Sequence, residues 1–324
     1  MIDIKNDFEK AIDTIFDNPE YKDIEIIKRG YAIQNNMCCN SILFIGLNPS
    51  FSEGNAGRHF YKLYEDKEYK YFKRFIEMSE TLEIPWSHTD MLFCRETSQK
   101  AIEHMLKPGV GLSFLWDQLQ LSKEIIEASK PKVIVVNNSL ARRFLGYHKD
   151  SGKKDKQEWL NYDFDFDGEI GTHRIKNNVA LENVPVFFSS MLTGQSALDI
   201  GSYERLIWQV RRTLIIDGIR ELDILKNLKE EIIKAKKFEE GPAIRDKEIR
   251  IKEWTSKQKE LLNHPLLAKV KSKNLSSRLN TINIMSAKKP TAKIENLPSK
   301  NPGKKSGPDR GNYPPKRAGT LAPR

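Results

Sequence analysis

The sequence predicts an α/β fold built on a parallel sheet that is covered on both faces. Three observations carry this expectation. Short apolar runs, such as ILFIG at 42–46 and the core of KVIVVN at 132–137, recur along residues 1–216. They lack the polar residue at every second position that marks a half-solvated strand, so they suit strands buried on both sides. Between them lie stretches with apolar residues at helical spacing, and strands alternating with helices are the pattern of parallel sheets with helical crossovers.

The elements follow in order. Phe8, Ala11, Ile12, Ile15 and Phe16 recur at helical spacing and predict a first helix. Residues 42–46 are the first strand, ending in a glycine. Residues 60–79 predict a helix with Phe60, Leu63, Phe72, Phe75 and Ile76 apolar. TDMLFC at 89–94 is the second strand candidate. Residues 112–129 predict a helix with Leu115, Leu119, Ile125 and Ile126 inward. Residues 132–137 form the third strand, and Ala141 to Phe144 open a short helix. The segment 150–178, where Asp163, Asp165 and Asp167 alternate with aromatics, fits an inserted hairpin or an irregular loop. PVFFSS at 185–190 is the fourth strand, followed by a helix over 202–216. From 219 to 263 the pattern is helical and charged, with Leu222, Leu225, Leu228 and Ile232 able to lay one face on the body. The expected organisation is an α/β domain over 1–216, a helical extension over 217–264 and a disordered basic tail over 265–324.

Charge supports that division. The chain has 324 residues, 54 Lys and Arg against 44 Asp and Glu, and a formal net charge of +10. Residues 265–324 hold 14 basic residues against only Glu295 and Asp309, a balance of +12. Residues 1–264 hold 40 basic and 42 acidic residues, a balance of −2. The tail is rich in Pro, Gly, Ser and Asn, so it has too little apolar area to offset its ordering entropy. A flexible basic arm attracts polyanions, nucleic acid above all, although a solubilising or protein-tethering tail fits the same composition. No run of ~18 apolar residues occurs, so no transmembrane helix and no membrane partner are expected. The opening MIDIKNDFEK lacks the basic and apolar regions of a secretory signal. Cys38, Cys39 and Cys94 are too few for a disulfide framework, and a reducing, cytoplasmic setting is expected. His59, His88, His104, His148, His173 and His264 are scattered without metal-ligand spacing, so no metal is expected; His59 and His173 merit most notice.

Ligands of open parallel sheets bind at the carboxyl ends of the strands. The first strand runs into Gly46-Leu47-Asn48-Pro49-Ser50. Gly46 allows close backbone approach, and Pro49 holds Asn48 extended. A fixed carboxamide can hold a water in line for attack; a purely local Asn-Pro turn fits the same residues. The second strand is flanked by polar residues in the stretch from His88 to Thr97. The fourth leads into Ser189-Ser190-Met191-Leu192-Thr193-Gly194-Gln195-Ser196, whose hydroxyls before a helix suit a phosphate or a plain N-cap.

Together these loops resemble the uracil-DNA glycosylase superfamily, nearest its mismatch-specific branch, which includes thymine-DNA glycosylase. Gly46-Leu47-Asn48-Pro49-Ser50 is similar to that branch's Gly-Ile-Asn-Pro-Gly motif. Gly57-Arg58-His59-Phe60-Tyr61-Lys62 resembles the stretch opening its next helix, and Lys130 to Val136 its third strand. The polar loop from Ser189 and the following Tyr203, Leu206 and Val210 resemble its final pattern. The resemblance covers roughly residues 40–216.

The resemblance implies a three-layer α/β/α sandwich with a four-stranded parallel sheet. It implies hydrolysis of the N-glycosidic bond of a damaged or mismatched base flipped out of DNA, by a monomer needing no cofactor. Three cysteines fall short of the four that hold the iron–sulfur cluster of some branches. Asn48 would orient the attacking water. Gly46, Leu47, Asp90 and either Phe51 or Phe60 would contact the base, Met191 or Leu192 would wedge into the duplex, and Ser189, Ser190 and Ser196 would hold phosphates. Arg58, Lys62, Arg142 and Arg143 would form a local cationic patch. The last loop departs from the family in lacking a His-Pro-Ser core. Asp90 stands near a base-reading asparagine of the uracil-specific branches; a carboxylate there repels a carbonyl and prefers an amino group, unless the alignment shifts by a residue. A catalytically silent protein that binds DNA or a modified base is one alternative, and an unrelated α/β nucleotide-binding enzyme is another.

Overall fold

The computed structural model describes residues 1–63, 70–146, 159–194, 196–234 and 241–263. The first compact unit of the chain is Met1–Leu262. The expected basic tail, 265–324, lies outside the described residues.

The chain opens with strand β1 (Ile2–Asp3) and helix α1 (Ile4–Phe16), which buries Ile4, Ile12 and Phe16 and is capped by the Asp3 carboxylate on the Asn6 N–H. Two short strands follow, β2 (Ala32–Gln34) and β3 (Asn36–Met37), the latter antiparallel to β1. β4 (Ile42–Gly46) is buried at every residue, as the apolar run predicts. Of the predicted helix over 60–79, residues 64–69 lie outside the described residues, and the described remainder is an α-helix only in its second half. Residues His59–Tyr61 form β5, paired parallel to β2, and α2 starts at Lys73 and ends at Leu82. Three residues opposite an open strand gain ladder hydrogen bonds at once, whereas helix nucleation needs a longer uninterrupted segment.

The second parallel strand, β6, is Trp86–Asp90 rather than 89–94. Met91, Leu92, Phe93 and Cys94 are fully buried but irregular. Their backbone is satisfied locally: Met91 and Leu92 donate to the carbonyls of Gly46 and Leu47, and the buried Gln118 side chain accepts from the N–H groups of Phe93 and Cys94. The apolar run therefore marks burial, while the ladder belongs to the polar residues before it. Helices α3 (Gln99–Met105) and α4 (Val110–Ser129) precede β7 (Val133–Val136) and α5 (Ser139–Leu145).

The segment containing Asp163, Asp165 and Asp167 is a hairpin, β8 (Phe164–Asp167) and β9 (Thr172–Ile175), before β10 (Pro185–Phe188). The main sheet has six strands in the order β6-β4-β7-β10-β9-β8. β6, β4, β7 and β10 are mutually parallel, and the hairpin adds antiparallel strands at the β10 edge. The expected count of four is thus exceeded by two, because β9 completes the open ladder of β10. Arg174 anchors the hairpin through Asp167 and, on the following helix, Asp217.

Alternate residues of the parallel strands enter two separate cores. Leu43, Ile45, Ile134 and Val136 pack among residues of α1, α4 and α5. Ile42, Phe44, Val133 and Val135 pack among residues of α2 and α6 (Ile200–Lys234). Phe44 stacks on Phe75 with ring centroids 4.4 Å apart.

Helix α6 runs unbroken for 35 residues, through the boundary expected at 216/217. α7 (Gly241–Asn263) returns antiparallel along it, with Arg211 bonded to Gln258, Glu221 paired with Lys247 and Lys229 with Glu248. Leu225 and Ile232 are buried as expected of the apolar face, while Leu228 stays exposed. α7 also grips the end of α2: Trp254 donates to the Leu82 carbonyl, and Arg211 on α6 donates to that of Thr81. These bonds satisfy carbonyls that a helix end otherwise leaves without partners. No helix among the described residues is long and apolar enough to cross a membrane.

Phe44→Ala is expected to lower stability by about 3–5 kcal/mol, because it empties the centre of a core that cannot collapse around a β-strand. A fall in the urea midpoint with an unchanged m-value would establish this.

Candidate functional site

The strand order creates one crevice. The chain leaves β4 toward β6 on one side and leaves β7 toward β10 on the other, so the loops after β4 and β7 part company. Such a switch point leaves a gap at the carboxyl edge of a parallel sheet. A cavity of about 900 Å³ occupies it, lined by Gly46 to Ser50 after β4, by Asp90 and Arg95 to Thr97 after β6, and by Asn137 and Asn138 after β7. His59 and Tyr61 of β5, Tyr71, Phe72 and Met191 complete the walls.

The floor is set by Gly46 and Asp90, which are paired across β4 and β6. The Asp90 carboxyl folds over Gly46 so closely that a Cβ there would lie 2.1 Å from Oδ1. Any other residue at 46 would displace the carboxyl. His88, two residues earlier on the same face, lies with Nε2 3.7 Å from Asp90 Oδ1, too far for a hydrogen bond, and its Nδ1 lies 3.1 Å from the Tyr61 hydroxyl. The ring stacks on Phe75 and meets Tyr71 and Phe72 edge-on. Both titratable groups are removed from water, Asp90 being only 7% exposed. Burial pushes the Asp90 carboxyl up to about 7 and the His88 imidazole down to about 3.

Asn48 is held by its amide nitrogen. Nδ2 donates to the backbone carbonyls of Glu96 at 2.6 Å and Pro49 at 3.0 Å. Among the described residues nothing donates to Oδ1, so the side chain presents an acceptor where it lines the cavity. The loop that receives Nδ2 is itself fixed. The Glu96 N–H bonds the Pro49 carbonyl, and the Glu96 carboxylate pairs with Arg29 and accepts from the Ser98 N–H. Asn138 is spent on capping α5, accepting from the N–H groups of Leu140 and Ala141.

The structure brings Gly46, Leu47, Asn48, Asp90 and Met191 to one cavity. It places the other expected contacts elsewhere. Phe51 lies under the Arg29 guanidinium, and Phe60 packs edge-on against Tyr31, so neither aromatic lines the cavity. Because 59–61 is a strand, Phe60 points away from the cavity and its neighbours His59 and Tyr61 point to it. Tyr61, Tyr71 and Phe72 are the aromatic walls instead.

Leu192 is 1% exposed and packs in the core with Tyr203 and Leu206, so it is unavailable as a wedge; Met191 is 38% exposed. Ser189 and Ser190 line a second cavity of about 420 Å³ with Arg142, His173, Ser202 and Arg205. Ser196 is exposed and lines neither cavity. Arg58 is engaged by Asp13 on α1 and by Asp17 at its C-cap, and Arg143 lies over the Trp159 ring, so the expected cationic patch is divided among separate tasks. Asn137 and Asn138 have no place in the sequence reading, and His88 and Tyr61, which stand within its motifs, have no cavity role there. The Asn pair could have been found, since it follows an apolar strand as Asn48 does. Among the described residues no group of three or more His, Cys, Asp or Glu is arranged to hold a metal ion.

The fold and site thus define a mixed α/β protein with a polar-floored, aromatic-walled cavity at the switch point of a mostly parallel sheet. In comparisons with known proteins, no family model, no curated protein and no solved structure matches the chain.

Asp90 links the site to stability. Its carboxyl titrates near 3.8 when unfolded and near 7 in the fold. Between those values the folded chain keeps a proton that the unfolded chain has released, so stability falls as pH rises through this window and levels off above it. Asp90→Asn removes that loss. The variant is expected to match the parent near pH 4 and to exceed it by on the order of a few kcal/mol at pH 8. Urea titrations at the two pH values test this, and an equal gap at both would refute it.

Proposed function

We propose that this protein hydrolyses the N-glycosidic bond of a damaged or mismatched base flipped out of DNA, as a cytoplasmic base-excision enzyme of the uracil-DNA glycosylase kind. The observation that carries this is Asn48, which lines the cavity at the carboxyl end of β4 with its amide nitrogen tied down and no donor to its oxygen among the described residues. Its position and orientation suit a group that holds a water. The two cores on opposite faces of the sheet support the three-layer sandwich of that superfamily, with the four parallel strands as its sheet and the β8–β9 hairpin as an addition.

In this mechanism the base enters between Tyr61, Tyr71 and Phe72, which offer flat apolar walls. Its polar edge meets Asp90 on the floor. A water bonded to Asn48 Oδ1 attacks the anomeric carbon as the bond to the base breaks. The bonding pair leaves with the base, and the proton shed by the water balances the base's new charge. Asn48 cannot take that proton; its contribution is orientation, which removes much of the entropic barrier of a two-body step. DNA reaches the site through Met191 at the cavity wall and through the basic tail, whose salt-dependent affinity brings substrate in.

A second reading is favoured by the last loop. With Leu192 in the core and Ser189 and Ser190 on a separate cavity, that loop offers the leaving base Met191 alone among the described lining residues. A protein that binds a flipped base without releasing it has the same floor and walls and needs no such contact.

Duplexes carrying uracil, thymine mismatches, hypoxanthine or xanthine, or cytosine and adenine derivatives, separate the two readings. Release of at least one base, reduced about a hundredfold or more by Asn48→Ala, is expected. Saturable binding without release from any of them would favour the silent binder.

A further inference from the structure

We infer that Asp90 selects the base, and that it selects for an exocyclic amino group rather than for the paired carbonyls of uracil or thymine. This inference rests on the reading of the cavity as a base pocket. The carboxyl of Asp90 is more than nine-tenths buried, lines the cavity floor, and receives a hydrogen bond from no described residue. Its nearest polar neighbour, His88 Nε2, stands at 3.7 Å and is itself buried without a partner. The other buried carboxylate among the described residues, Glu96, is paired with Arg29 and the Ser98 N–H, and the half-buried Asp217 and Asp117 are paired with Arg174 and the Tyr21 hydroxyl. A mostly buried carboxyl with no protein donor is uncommon in a folded protein, and at the floor of a cavity its oxygens are open to water or to a ligand that replaces it.

The direction of selection follows from the chemistry of a carboxyl held in one place. The missing side chain of Gly46 leaves room for Oδ1 against the β4 backbone. Ionised or protonated, a carboxyl keeps at least one acceptor oxygen, so an amino group finds a partner in either state. The diketo edge of uracil presents one N–H flanked by carbonyls. It can match the protonated acid, but against the carboxylate one oxygen must face a carbonyl oxygen, and both lone pairs lose their water. An amino-bearing base is therefore accepted on both sides of neutrality, and a diketo base only on the acid side.

Cytosine and uracil differ in this edge and in little else, which makes the free bases a direct probe. Competition by saturation-transfer NMR on the full chain is expected to show cytosine binding about tenfold more tightly than uracil at pH 8, with the gap narrowing at pH 5.5. Asp90→Asn, whose amide can turn either its donor or its acceptor to the ligand, is expected to bring the two bases within about threefold at both pH values. Uracil binding as well as cytosine at pH 8, an unchanged ratio in the variant, or no binding of either base would each overturn the inference. The pH dependence of the unsubstituted protein decides the matter if the variant does not fold.

Failure of the hydrolysis reading is distinguishable. Cytosine-selective, Asp90-dependent binding with no release from any duplex removes hydrolysis and leaves the selection standing. Release from a uracil duplex at pH 8 that Asp90→Asn does not alter removes the selection and leaves hydrolysis standing.

Discussion

β4 lies between β6 and β7; all five of its residues pair with β6, the first four also pair with β7, and all five are buried. It ends in Gly46, where the missing side chain is replaced by the carboxyl of a neighbouring strand. This contact is a packing constraint before it is a chemical one. It fixes Asp90, and the loop beyond Gly46 is zipped to residues 91–96 by the bonds from Met91, Leu92 and Glu96. Asn48 is then clamped to the same segment. The floor and the acceptor above it thus share one rigid frame, so neither can move without dragging the other.

That frame is bought with stability. A carboxyl without a donor among the described residues, and an imidazole whose Nε2 is buried without a partner, sit at one end of a core otherwise made of Phe44, Phe72, Phe75 and Trp86. Each resists its charged form because water is excluded, in opposite directions on the pH scale. The aromatic cluster compensates with large apolar area, and the α6–α7 pair buttresses the far end of α2 through Trp254 and Arg211. Ordinary packing thereby supports an arrangement that polar chemistry alone would not hold together.

Much of this was legible in residue order. Apolar runs located β4, β7 and β10, and the strand-end rule pointed to the Gly46-Leu47-Asn48 loop, while Asp90, inside the strand expected at 89–94, was marked only by the family resemblance. What stayed hidden has a physical cause in each case. β6 reads WSHTD, four of whose residues are polar yet buried, so its periodicity resembles a loop. Its Ser87 is tolerated because Ser87 Oγ accepts from the Cys38 N–H, a pairing with no signature in sequence. At 59–61 the choice between helix and strand decided which aromatic faced the cavity, and a period of two exchanges Phe60 for Tyr61. Leu192 was read as an exposed wedge because a loop leucine looks alike whether it points outward or into a core. The long α6 crosses an expected domain boundary because a change in charge pattern does not end a helix; only capping or a breaker does.

The hairpin that extends the sheet leaves β8 as the outer strand of the sheet among the described residues. An open edge is a template on which another chain can grow a strand. β8 is four residues long, Asp165 and Asp167 lie in it with Asp163 just before it, and Phe166 stands 65% exposed between the first two. A second copy approaching edge to edge would set these carboxylates against their own kind. Asp167 is further occupied by Arg174 and Arg220. The same residues that spell a hairpin in the sequence also act as gatekeepers of its rim, and the sheet stops growing where its charge begins.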